Sequence, residues 1–190
     1  MPRFCGNSID TSAAARSNGV MQIVPLTPQH AAAVEGWRYP EPYERYSMAG
    51  VQLGDDYVAL LDDDGELIGY RCFGPEGRVP GYDYDDSALD TGGGLRPDLT
   101  GRGLGARAIA TGLAYGRERF GNDSFRVTVA SFNVRARRAV ESLGFRPVAR
   151  FRATTDGTEF DVLRLDSDVH IDPSVAPGVD EIIADRRGGL

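Results

Sequence analysis

Leu95-Arg96-Pro97-Asp98-Leu99-Thr100-Gly101-Arg102-Gly103-Leu104-Gly105 runs directly into a helix-forming stretch, residues 106–120. Glycines at alternate positions just before a helix let a backbone come close to a large ligand and aim several N–H groups at it. The first helical turn adds unpaired donors and the positive end of the helix dipole. The stretch therefore reads as a cradle for a phosphate or pyrophosphate.

Spacing separates the phosphate motifs that compete for it. A P-loop needs a lysine after its second glycine, and the basic residues of this chain, 21 in all, are arginines without exception. The same absence excludes Schiff-base chemistry. A dinucleotide fingerprint needs Gly-x-Gly-x-x-Gly in a tight turn after the strand, whereas here Gly101, Gly103 and Gly105 alternate and Arg96-Pro97-Asp98-Leu99 intervenes.

Outward from the cradle, residues 87–95 read as a strand whose Gly92, Gly93 and Gly94 predict a bulge or a ligand against the backbone. Downstream, residues 124–130 alternate apolar and polar as a strand, Asn133 is a helix N-cap for 134–143, and Gly144 stands at its C-terminal stop. Residues 145–151 and 158–165 form a last hairpin around Asp156-Gly157. Upstream, residues 56–61 and 67–73 pair around the turn Asp62-Asp63-Asp64-Gly65. Residues 22–24 are a strand and 29–37 a helix capped by Thr27-Pro28, while 44–51 predict a second short helix after the aromatic loop Tyr39-Pro40-Glu41-Pro42-Tyr43. Hairpins together with strand–helix–strand units imply a mixed, twisted α/β sheet with helices on both faces.

The length fits one domain, taken as residues 21–165, with an extension over 1–20 and a mostly extended tail over 166–190 that carries an apolar patch at Ile182-Ile183. A strand begins right after Met21, which raises the hypothesis that translation starts there. The formal charge of −7 argues against nucleic-acid binding and suits a cationic substrate. Cys5 and Cys72 show no metal or disulfide spacing, and Cys72 reads as a buried thiol; a reducing, cytoplasmic setting fits. No membrane span is expected, and homodimerisation stays open.

At the cradle the sequence resembles the GNAT (Gcn5-related N-acetyltransferase) superfamily, with Gly103 and Gly105 at the small positions of its Arg/Gln-x-x-Gly-x-Gly/Ala signature and Thr100 where Arg or Gln is usual. Asn133-x-x-Ala136 and Leu143-Gly144-Phe145 resemble a second segment of the family. The resemblance implies a sheet splayed into a V that admits acetyl-CoA as acyl donor. Leu95, Arg96 and Pro97 would meet the pantetheine arm, Thr100, Gly101, Arg102, Gly103, Leu104 and Gly105 the pyrophosphate, and Asn133 the far side of the arm. The backbone N–H of Leu95 would polarise the thioester and Asp90 would act as base, with Glu41 and Glu44 as alternatives. Val140 stands where the family's proton-donating tyrosine is usual, so Tyr84 or Tyr115 becomes a candidate, as does departure of the thiolate unassisted. Arg135, Arg137 and Arg138 form a basic helix face, either solvated or touching the 3′-phosphate. The acidic loop 83–86 is a candidate for steering the acceptor. His30 and His170 receive no role. The implied activity is acetyl transfer to a small-molecule amine or a peptide N-terminus; the alternative is a non-catalytic acyl-CoA-binding sensor.

Overall fold

A computed structural model describes residues 20–50, 53, 54 and 56–167. The extension before Val20, the patch at Ile182-Ile183 and His170 lie outside the described residues. Strands β1 (Gln22–Pro25), β2 (Tyr57–Leu61), β3 (Leu67–Phe73), β4 (Leu89–Leu95), β5 (Phe125–Ala130), β6 (Arg146–Arg152) and β7 (Glu159–Leu165) form one sheet in the order β1-β2-β3-β4-β5-β7-β6. Every neighbouring pair is antiparallel except β4 and β5, whose parallel pairing requires a crossover. Helix α2 (Gly105–Phe120) makes that crossover; α1 (Pro28–Glu35) follows β1 and α3 (Val134–Ser142) follows β5.

Two faces of the sheet carry separate cores. On one, Val34 of α1 packs with Trp37, Tyr39, Tyr57, Tyr70 and Cys72. On the other, α2 and α3 bury Ile109, Leu113, Val140 and Leu143 against Phe125, Val127 and Leu163. A register shift between Leu60 and Leu61 lets Ile68 join Leu60 and Ala108 on the α2 face while Leu67 stays on the α1 face. Tyr70 and Arg71 consequently point to opposite faces, the first toward α1 and the second toward α2.

Several sequence expectations need correction. The helix expected over 44–51 is only a 3₁₀ turn, Glu44–Tyr46, because Tyr46 and Met48 are drawn into the α1-side core; Val51 lies outside the described residues. The strand expected from Ser87 begins at Leu89, since the Ser87 N–H and hydroxyl are both committed to the Asp85 carboxylate. The glycine run holds no bulge: Gly92, Gly93 and Gly94 pair in continuous register with Cys72, Arg71 and Tyr70. They admit neighbours instead. Gly93 has φ of 149°, and a Cβ there would lie 2.3 Å from the Tyr70 carbonyl oxygen.

Both hairpin turns form on the expected glycines, Gly65 at φ 78° and Gly157 at φ 71°. His30 caps α1: its backbone N–H donates to Thr27 Oγ1 and its Nδ1 accepts from the Thr27 N–H. Cys72 is buried, which pushes its thiol up to about 11 and leaves it inert as a nucleophile. No helix among the described residues is long and apolar enough to cross a membrane.

Candidate active site

Strands β4 and β5 pair only at Leu89 with Phe125 and Asp90 with Arg126, and then part. The gap opens a cleft of about 640 Å³ toward the N-terminus of α2. Which groups face it follows from strand alternation. Arg96 donates its N–H to Ile68 O on β3, so Arg96, Gly94 and Gly92 face β3, while Gly93 and Leu95, beyond the last pair with β5, present their N–H and C=O groups to the gap.

At the mouth, Gly101 and Gly103 adopt φ of 77° and 82°, a left-handed conformation that turns successive N–H groups outward. Among the described residues, no backbone acceptor engages the N–H groups of Gly101, Arg102, Gly103 or Leu104, and Leu104 caps α2 without a side-chain bond. These donors lie at the positive end of the dipole of a 16-residue helix, an arrangement whose chemistry suits an anion. A Cβ on Gly103 would meet nothing within 4 Å, so the space before it is open.

The predicted residues separate into two groups. Leu95, Thr100, Gly101, Gly103, Gly105 and Asn133 line the cleft. Asn133 does so while its Oδ1 accepts from the Ala136 N–H to cap α3. Arg96, Pro97, Arg102 and Leu104 do not line it: Arg96 is drawn aside by Asp98 and the Leu67 carbonyl, and Leu104 packs into the core beside Ala108. Of the basic face on α3, Arg135 and Arg138 reach the cleft, Arg135 stacking 4.0 Å over the Tyr43 ring, whereas Arg137 is tied to Glu141 and Asp161.

Asp90 is not placed to be a base. It is 1% exposed and absent from the cleft wall. Its carboxylate accepts from Arg126 Nε at 2.6 Å and Nη2 at 3.0 Å, and from Arg78 Nε at 2.7 Å. Two guanidiniums thus occupy the oxygens that would take a proton, and Asp90 clamps the point where the strands part. Its companion Asp85, held by Ser87 and Arg126, is lowered to about 2. The remaining expected candidates also fall outside: Glu41 and Glu44 are exposed, Tyr84 is bonded to Val79 and Thr128, Tyr115 packs on Phe73, and Asp86 of the acidic loop faces Arg78.

The aromatic loop over 39–43, which the sequence offers as a candidate pocket lining, belongs to an aromatic wall of which the sequence reading missed Tyr46 and Tyr70. Tyr39, Tyr43, Tyr46 and Tyr70 all line the cleft. The Tyr39 hydroxyl donates to Leu95 O at 2.8 Å, and with Arg96 N–H bound to Ile68 O at 2.8 Å the peptide after Leu95 is held at both ends. Burial pushes the Tyr39 hydroxyl up to about 12 and raises Tyr70 further. Tyr46 is also raised, chiefly by burial, with the neighbouring Asn133 side chain, the Arg45 charge and the Ala130 backbone offsetting part of the effect; among the described residues its buried hydroxyl makes no well-aligned hydrogen bond. Arg71 also lines the cleft, packed against Gly93 and Gly112. Val140, where a tyrosine was expected, is instead 3% exposed in the core beneath α3.

The family model of the acetyltransferase (GNAT) family matches residues 26–145. No curated protein matches the chain. Among solved structures, a GNAT-family acetyltransferase from Bacillus anthracis superposes with a TM-score of 0.59 at 13% identity, covering 78% of this chain and 95% of that one. A spermidine N-acetyltransferase SpeG chimera from Vibrio cholerae and hSSAT gives 0.57 at 15% identity, covering 77% and 96%. Dodecameric spermidine N-acetyltransferase from Vibrio cholerae gives 0.55 at 15% identity, covering 77% and 94%. At such identities the structural likeness speaks for the fold, and the family match, over more than half of the sequence, settles the rest: the chain belongs to the acetyltransferase (GNAT) family.

Proposed function

We propose that the protein is an N-acyltransferase that moves an acyl group, acetyl in the simplest case, from a coenzyme A thioester to a primary amine within a ternary complex. The observation that carries this reading is the cleft itself: a strand edge bearing free N–H groups leads straight to an anion cradle of unpaired N–H groups. A pantetheine arm fits the edge as an added strand, and a pyrophosphate fits the cradle at Gly101, Gly103 and Gly105.

Each residue then has a definite task. The Leu95 N–H donates to the thioester oxygen as negative charge develops there, on a backbone kept rigid by Tyr39. The amine nitrogen attacks the carbonyl carbon, a C–N bond forms, the C–S bond breaks, and the proton lost by nitrogen passes to the departing sulfur. We assign the relay to Tyr46, which lines the cleft beside Asn133. Among the described residues no Asp or Glu lines the cleft, and on this reading the amine sheds its first proton before it is enclosed by the tyrosines, a setting that disfavours an ammonium. Release of free coenzyme A from acetyl-CoA, measured over polyamines, amino acids, aminoglycosides and peptide N-termini, tests the reading. Acceleration by at least one amine is expected; tight acetyl-CoA binding with no acceleration by any would instead mark a binding module.

A further inference from the structure

Arg71 and Arg126 are both buried, at 6% and 3% exposure, yet they are treated differently. Arg126 is matched by the carboxylates of Asp90 and Asp85. Among the described residues no carboxylate pairs with Arg71: its Nη2 donates to Thr91 Oγ1 at 2.9 Å, that hydroxyl donates onward to the Cys72 carbonyl, and its Nε finds no partner among them. Burial of the unmatched cation lowers its pKa. A desolvated guanidinium without a counter-charge is costly, and a carboxylate delivered by a ligand removes that cost through a two-pronged hydrogen bond.

Its position indicates which ligand. The side chain lies between β4 and α2: Cδ and Nη1 are each 3.0 Å from where a Cβ on Gly93 would stand, and Nε is 2.8 Å from the equivalent point on Gly112. It occupies the face of the sheet that carries α2 and its cradle, opposite Tyr70 and α1. Gly93 lies two residues, about 7 Å, along β4 from Leu95. An acyl group whose carbonyl meets the Leu95 N–H reaches Arg71 if it ends in a carboxylate at the far end of a short chain.

Resting on the acyl-transfer reading above, we infer that Arg71 is a specificity-determining receptor for a carboxylate at the acyl end of the cleft, so that the preferred donor is a succinyl- or glutaryl-type dicarboxylic acyl thioester. The carboxylate stays intact, and the transfer step is the one already described.

The test compares kcat/KM for acetyl-, butyryl-, succinyl- and glutaryl-CoA with one amine. The wild-type protein is expected to prefer succinyl- or glutaryl-CoA over neutral butyryl-CoA by about tenfold or more, the scale of a charge-assisted pair. Arg71→Met is expected to erase that ratio, and Arg71→Lys to restore only part of it. Equal or better use of butyryl-CoA by the wild type overturns the proposal. A second arm holds acetyl-CoA fixed and compares amines with and without a carboxylate; if Arg71→Met raises KM only for the carboxylate-bearing amines, the donor assignment is wrong and the carboxylate belongs to the acceptor. Calorimetric binding of succinyl-CoA against butyryl-CoA to the wild type separates the two levels. Discrimination without turnover of any donor would retire the enzyme reading and keep the receptor, and it decides the matter even if Arg71→Met fails to fold.

Discussion

Asp90→Asn distinguishes a clamp from a catalytic base. The substitution keeps the shape of the side chain and removes its charge, leaving Arg126, with a side chain 4% exposed, facing an amide where a carboxylate took two hydrogen bonds. Removing one partner of a buried ion pair costs about 3–5 kcal/mol. Arg126 keeps Asp85, whose carboxylate and carbonyl oxygens accept from it at 2.9 and 2.7 Å. The expected loss is therefore smaller, roughly 2–4 kcal/mol, which in a chain of this size lowers Tm by roughly 4–16 °C. Differential scanning calorimetry measures the shift, and steady-state kinetics well below the new Tm measure turnover. The folded variant is expected to turn over within a few-fold of wild type, and adding Arg126→Met is expected to recover part of the lost stability by removing the stranded cation. An unchanged Tm combined with a fall in kcat of a hundredfold or more would refute the clamp and return Asp90 to the chemistry.

Gly103→Glu forces a side chain into φ of 82° and sets a carboxylate in the cradle; the Kd for acetyl-CoA is expected to rise by about a hundredfold or more by calorimetry, with circular dichroism unchanged. Tyr46→Phe is expected to lower kcat by about a hundredfold while the Kd for acetyl-CoA moves little, as loss of a general acid requires. Burial keeps Tyr39 and Tyr70 protonated in the fold beyond the ordinary phenol range. Because the folded values lie above the unfolded value, the stability they contribute is complete below pH ~10 and is lost as pH rises toward 12; urea unfolding repeated from neutral to alkaline pH measures this, and Tyr39→Phe is expected to flatten the decline.

Legibility in the sequence follows the range of the interaction. The cradle, the Asp-Gly hairpin turns and the Asn133 cap are written within a few neighbouring residues, where glycine's access to positive φ or a short side chain settles the conformation. The strand before the cradle was half legible. Its glycines are required, but by close neighbours across β3 and not by a bulge, and the side chain of Arg71 announces nothing in sequence. Asp90 meets Arg126 across 36 residues of chain, and Tyr39 meets the Leu95 carbonyl across 56. Such partners are chosen by the register of the sheet, which local pattern does not carry. The one available signal was Arg126 itself, a charge on the polar side of a strand that is buried on both faces.

The early parting of β4 and β5 leaves an edge in the interior of a seven-stranded sheet. Amide hydrogen exchange reads that edge directly. The N–H groups of Gly92 and Gly94, bonded toward β3, exchange slowly with the core, while those of Gly93 and Leu95, one residue away, exchange as fast as a loop. An acyl-CoA that enters as an added strand reverses this, slowing the alternate amides and leaving the others as they were. A two-residue rhythm of protection along one strand then reports occupancy of the cleft, independently of turnover.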